Sequence, residues 1–257
     1  MNTSMFLDRL RFMVLLPLLL AGSVAGADTV MIAAASNVQA PLEQLAKLFE
    51  QQTGHQVVFS FGATGKHYAQ IRRQAPFELF LAADAERPVL LERDGQAVAG
   101  TRFTYAVGRL ALWSPRQDRV DDQGAVLERG GFQYLAIANP RLAPYGAAAQ
   151  QVLLERGLWE TLQPKLVLGE SIGQAYQFVG SGNAELGFVA LSQIRRPGQP
   201  ISGSVWVVPK ELHPAIEQQA VLIRDTPAAR AFWQFLQTPP ARAVLHSHGY
   251  DLPAEDG

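Results

Sequence analysis

Four short stretches hold the residue types that could do chemistry: "ASN" at 35–37, "GATG" at 62–65, "NPRLAPYG" at 139–146 and "GESIG" at 169–173. The last fits G-x-S-x-G, the nucleophile elbow that sets a serine on a tight strand-to-helix turn. That reading makes Ser171 a nucleophile and requires an acid and a histidine after it, an order that Asp225 followed by His246 or His248 satisfies. Each stretch also opens a helical pattern with hydroxyl, amide or glycine residues, and carboxylates are nearly absent. Free N–H groups at a helix start, with the positive dipole end, favour an anion by roughly 0.3–1 kcal/mol each before hydrogen bonds are counted. One such turn is ordinary capping. Four at one edge of the fold point to a shared small anionic ligand, with Ser36 and Asn37, Thr64 and Gly65, Tyr145 and Gly146, and Ser171 to Gly173 at the helix starts. Lys66 and Arg141 stand close enough in sequence to add positive charge.

Other motifs fall away. "GATGK" lacks the G-x-x-x-x-G-K-[ST] spacing of a phosphate-binding loop. "HSH" at 246–248 reads as basic residues suiting a helix C-terminus. Asp84 reads as a helix cap, and Trp113, Trp159, Trp206 and Trp233 as core or hinge packing.

The elements that position the four turns alternate. "TVMIAAA" is a strand candidate, followed by a helix in which Leu42, Leu45, Leu48 and Phe49 recur at spacings of three and four and Asn37 stands as cap. "QVVFSF", "LFLAA", "FQYLAIA", "KLVL" and "ELGFVAL" repeat the strand pattern, with helical stretches between them. "FTYAVGRLALW" reads as one long extended piece, and "RRPGQPISGS" separates the middle of the chain from "VWVVP" and "AVLI". Such alternation predicts parallel sheets with helices on both faces, and open α/β sheets bind ligands beyond the carboxyl ends of their strands.

Composition narrows the partners. Arg9 and Arg11, the apolar run "FMVLLPLLLAG" and the small residues "AGA" give the order of a secretory signal peptide, too short to span a bilayer. Cleavage is expected after Ala27. Removing Arg9, Arg11 and Asp8 leaves 20 basic and 22 acidic residues of the 22 and 23 in the whole chain, with no basic run. Nucleic acid is not an expected partner. There is no cysteine, so no disulfide and no lipidated residue follow the signal. A soluble periplasmic monomer is the expectation.

The pieces "AAASN", "FSFGATGKHYAQI", "PFELFLAAD", "NPRLAPYG" and "ELGFVALSQI", in that order from Val30 to Leu252, resemble the molybdate-binding proteins of bacterial ABC importers. The resemblance implies an α/β fold of two lobes, a type II periplasmic binding protein, each lobe a mainly parallel sheet flanked by helices and joined by a two-segment hinge. Lobe one would hold 28–108 and 207–257, and lobe two 109–206. It implies a molybdate or tungstate oxyanion held by neutral hydroxyls and backbone N–H groups. By position these are the hydroxyls of Ser36 and Thr64 and the N–H groups of Tyr145 and Ile172, with no direct metal ligation. Some members supply a tyrosine where this chain has Ala190. Others carry a tyrosine in the "PYG" turn and use Asn37 as a further contact, and this sequence is similar to that second group. No cofactor and no catalysis are implied; the partners would be a membrane permease and its cytoplasmic ATPase. The alternatives are an exported hydrolase acting through Ser171, and a binder of another tetrahedral oxyanion such as sulfate.

Overall fold

The computed structural model describes residues 28–253. The export-signal reading of residues 1–27 lies outside them. Strand–helix alternation resolves into two sheets of five strands. The first contains β1 (Thr29–Ala35), β2 (Gln56–Gly62), β3 (Leu79–Ala82), β4 (Phe103–Gly108) and, from far along the chain, β10 (Ile216–Leu222). The second contains β5 (Leu110–Ser114), β6 (Leu135–Ala138), β7 (Leu166–Gly169), β8 (Leu186–Ala190) and β9 (Ser204–Val207).

Both sheets share one plan. Their orders are β2-β1-β3-β10-β4 and β7-β6-β8-β5-β9. In each, three neighbouring strands run parallel, the next strand, β10 or β5, runs against them, and the edge strand beyond it, β4 or β9, points with the first three. The sheets are thus mainly parallel, as expected, with one reversed strand each: β5 and β10, the first strand after each crossing, run against their sheets. The parallel strands read as near-continuous apolar runs since helices cover both faces.

The Gln39–Thr53 helix shows how the pattern becomes a core. Leu42, Leu45 and Phe49 are fully buried, while Leu48 is partly buried. Phe49 meets Phe232 edge-on with centroids 5.0 Å apart. Burying each such side chain contributes about 1.5–3 kcal/mol. The helix ends at Gly54, whose φ of 75° places it in the left-handed region and whose N–H donates to the Glu50 carbonyl. Its start differs from the sequence reading. Val38 is the N-cap, and Asn37 lies in a short 3-10 turn, Ser36–Val38, with its side chain committed elsewhere. Asp84 does cap in part: its Oδ1 accepts from the Arg87 N–H at 2.9 Å, although the helix Glu86–Arg93 begins two residues later.

"FTYAVGRLALW" is two strands. β4 ends at Gly108 and β5 begins at Leu110, so the chain leaves one sheet and enters the other across Arg109. It returns between Val207 and Ile216. The tail secures both crossings: Val107 and Asp251 form a β-bridge, and Asp251 is paired with Lys210 at 2.8 Å and Arg109 at 3.6 Å. Ala35 and Ala83, at the ends of first-sheet strands, pack into the core of the second sheet. The lobes are thus in contact around the cleft between them. Among the described residues no helix is long and apolar enough to cross a membrane.

Candidate functional site

The four sequence turns meet. β1, β2, β6 and β7 each end at the cleft, and the chain after each carries one of them. Ser36 follows β1, Thr64 opens the helix after β2, Tyr145 stands in the first turn of the Pro144–Glu155 helix, and Ile172 opens the helix after β7. They line one small, tight cavity with Asn37, Ala35, Gly62, Ala63, Ala83, Ala143 and Pro144. All five expected site residues border it, and none of the eleven lining residues is charged.

The hydrogen bonds fix which way the hydroxyls can act. Ser36 Oγ accepts from the Gly173 N–H at 2.9 Å, and Thr64 Oγ1 accepts from the Ala83 N–H at 3.1 Å. A hydroxyl whose lone pair is occupied still has its own proton to give. Each therefore remains a donor beside the cavity. The backbone N–H groups of Thr64, Tyr145 and Ile172 have no protein acceptor among the described residues. Ser36 and Thr64 are 8% and 1% exposed, so water cannot easily take their place as partner. The cavity is a cage of neutral donors in a low-dielectric wall, which suits a small anion rich in acceptor oxygens.

Asn37 borders the cavity, but its side-chain amide does not serve it. Nδ2 donates to Gln218 Oε1 and to Tyr250 Oη, both at 2.7 Å. The Asn37 carbonyl accepts from the Ser192 hydroxyl at 2.8 Å, across the cleft. Its side-chain donors being taken and its Oδ1, buried without a partner, being an acceptor, what Asn37 can donate to the cavity is its backbone N–H. Tyr145 behaves likewise: its ring is buried and its hydroxyl lies against Gly108. Burial pushes the phenols of Tyr105, Tyr145 and Tyr250 well above their ordinary range, so this cluster stays neutral.

The charged neighbours stay outside. Lys66 pairs with Glu170 at 2.7 Å in a half-exposed bridge over the cleft. Arg141 is held by its backbone, its N–H donating to Asn139 Oδ1 and its carbonyl accepting from Arg87. Neither lines the cavity.

The hydrolase constellation is not assembled. Ser171 caps its helix, its Oγ accepting from the Gln174 N–H at 3.3 Å. His246 Nδ1 lies 3.3 Å from the Tyr250 carbonyl, His248 Nε2 lies 3.1 Å from Gln44 Oε1, and Asp225 pairs with Arg230. The triad order arose by chance because three common residue types need only follow one another. Among the described residues no group of three or more His, Cys, Asp or Glu side chains could hold a metal ion.

Trp113 is buried, stacks on Tyr176 and donates to the Ser202 carbonyl. Trp233 donates to the Thr101 carbonyl. Both serve packing.

His67, three residues beyond Thr64, is buried with Nδ1 3.0 Å from Gln70 Oε1 and its ring edge-on to Phe77. Burial lowers its pKa, with the Lys66 charge acting the same way. The lowered folded value means the unfolded chain binds a proton first as pH falls. The stability is fully present above the unfolded value of about 6.5 and is lost as pH drops below it towards the folded one. The melting temperature should therefore fall between pH 7.5 and pH 5.5, and fall less in His67→Gln. Parallel curves for the two proteins would exclude His67 as a source.

A family model described as bacterial extracellular solute-binding protein matches residues 30–251. The molybdate-binding protein ModA of Azotobacter vinelandii is 52% identical over 236 residues, covering 91% of this chain and 94% of that protein. ModA of Rhodobacter capsulatus is 48% identical over 230 residues, covering 88% and 89%. The solved structure of the periplasmic molybdate-binding protein of Azotobacter vinelandii superposes with a TM-score of 0.85 at 43% identity, covering 88% of this chain and 100% of that one.

Proposed function

The chain belongs to the molybdate-binding branch of the bacterial extracellular solute-binding proteins, and from that premise we propose that its cleft captures molybdate or tungstate and hands it to an ABC importer. One observation carries the reading. The cavity where both lobes meet is lined by hydroxyls that each already accept one hydrogen bond and keep their own proton to give, by unpartnered N–H groups, and by no charge. A tetrahedral dianion accepts from every direction and needs no proton acceptor in its wall. Phosphate keeps a proton near neutral pH, and the lining offers no carboxylate to take it up.

The Ser36 and Thr64 hydroxyls and the Tyr145 and Ile172 N–H groups hold the four oxygens, and Asn37 adds its backbone N–H. The metal inside the oxyanion is cargo and touches no residue. The protein performs no chemical step on it and needs no cofactor. Residues 28–108 with 207–257 act as one lobe and 109–206 as the other, closing on the ligand as a hinge. The signal peptide is cleaved after Ala27, and the mature monomer works in the periplasm, where closed, loaded protein docks on a permease driven by a cytoplasmic ATPase.

The test is calorimetry on residues 28–257 with molybdate, tungstate, sulfate and phosphate. One-to-one binding of molybdate and tungstate is expected, with sulfate and phosphate far weaker. At a hundredfold excess over Kd the ligand should stabilise the protein by about 2.7 kcal/mol, a rise in Tm of roughly 5–10 °C. No heat and no shift with molybdate would refute the assignment.

A further inference from the structure

We infer that Gly65 and Gly173 are the residues that set how far the cleft can close, and that Gly173 also aims the Ser36 hydroxyl at the ligand. The inference rests on the oxyanion-binding reading above, and goes beyond it to residues that touch no ligand. Each glycine directly follows a residue of the cage, Thr64 or Ile172, in the first turn of its helix. Each sends its backbone N–H to the opposite lobe. Gly65 donates to the Leu142 carbonyl at 2.9 Å, and Gly173 donates to Ser36 Oγ at 2.9 Å. The two bonds run in opposite directions across the cleft, one from each lobe.

At both positions a side chain would be tight while the lobes are together. A Cβ on Gly65 would lie 3.0 Å from the Leu142 carbonyl oxygen and 3.3 Å from its Cα, with the flexible Arg87 guanidinium at 3.2 Å. A Cβ on Gly173 would lie 3.0 Å from Ser36 Cβ and 3.1 Å from Ser36 Oγ. Apart from the movable Arg87 side chain, the close atoms at both belong to the other lobe, so the crowding eases when the lobes part. The glycines are not required by backbone conformation either. Both lie in helices and neither is among the glycines with positive φ. Alanine suits such positions better than glycine in an isolated lobe.

Gly173 acts through Ser36. Only when the lobes meet does its N–H occupy the Ser36 lone pair, and that leaves the hydroxyl proton to point into the cavity. Closure and ligand orientation are thereby the same event. An open protein offers Ser36 as a freely rotating hydroxyl, and a closed one as an aimed donor.

Opposite signs make this testable. Gly65→Ala, Gly173→Ala and the corresponding valine variants of residues 28–257 should each be melted without ligand and titrated with molybdate, with dissociation followed by a labelled-molybdate chase. The ligand-free Tm of the alanine variants should stay level or rise by a degree or two. Their Kd should rise by about 5- to 150-fold, the span that overpacking a close contact produces, with valine above alanine. The increase should appear in the dissociation rate, because the open form that ligand first meets is unaltered. Kd values within twofold of wild type would overturn the inference while leaving the oxyanion reading intact. So would a loss of affinity accompanied by an equal loss of ligand-free stability, the mark of a merely structural glycine. A wild-type protein silent towards molybdate would instead overturn the underlying reading, and this inference with it.

Discussion

Ser36→Asp should abolish molybdate binding in a protein that still folds and still brings its lobes together. The new carboxylate would face the Gly173 N–H that now reaches Ser36 Oγ at 2.9 Å, so the contact across the cleft has an acceptor at least as good as before. The ligand, however, is a dianion, and the cavity offers no cation to offset a second anionic group, since none of its lining residues is charged. Two unit charges about 4 Å apart repel by about 4 kcal/mol at the effective dielectric constant near 20 typical of such sites. A dianion doubles that, so affinity should fall by well over three orders of magnitude. Ser36→Ala removes a hydrogen bond to a charged group, about 1.5–3 kcal/mol, and the acceptor of the Gly173 N–H, but adds no charge, and should weaken binding by roughly one to two orders. The gap between the two variants reports charge rather than contact. Equal calorimetric affinities for Ser36→Asp and Ser36→Ala would place the anion away from this cavity.

The turns that line the cavity were legible because their parts are local. A hydroxyl or glycine at a strand-to-helix turn is visible in five consecutive residues, and the rule that α/β sheets bind beyond their carboxyl ends gathers such turns without any knowledge of contacts. What lay hidden was everything that depends on distant pairing. The role of Asn37 is set by Tyr250, 213 residues away, and by Gln218, 181 residues away. No local pattern separates that use of an asparagine from helix capping. The break at Arg109 was invisible for a related reason. The strands on either side are both apolar because each is buried, and periodicity does not say in which sheet. The strand "AVLI" likewise extends back through Glu217, Gln218 and Gln219, polar residues that mask it. Gln218 bonds to the Ile216 carbonyl and Asn37, and Gln219 to Thr104 and Arg102, so these side chains are satisfied inside the fold. Gly65 and Gly173 were in plain view as helix openers, yet what they do belongs to the opposite lobe.

The N–H of Ile172 can be removed almost alone, which makes Ile172→Pro the sharpest test of the backbone half of the cage. Ile172 is the first residue of its helix, a position where proline is tolerated because no intrahelical bond is lost. The residue before a proline must be extended, and Ser171 already is, with φ −132° and ψ 169°. The Ile172 N–H has no acceptor within the protein among the described residues, so its loss costs the empty protein nothing there. With the proposed contact, the loaded protein loses one charge-assisted bond, and the proline ring puts a carbon where an oxygen of the ligand would approach. Binding should weaken by at least two orders of magnitude. The side chain needs a control, because Ile172 is 3% exposed and packs in the second-lobe core. Ile172→Val loses one buried methylene at about 0.5–1.5 kcal/mol of stability and keeps the donor, so its Kd should stay close to wild type. Ser171→Ala should behave in the complementary way. It removes the cap that accepts from Gln174, lowering stability by about 0.5–2 kcal/mol, and leaves the neighbouring N–H in place, so oxyanion affinity should largely survive. If the proline and valine variants bind molybdate equally well, the Ile172 N–H is not a ligand contact. If Ser171→Ala alone loses binding, the serine hydroxyl and not the backbone is the donor at this turn.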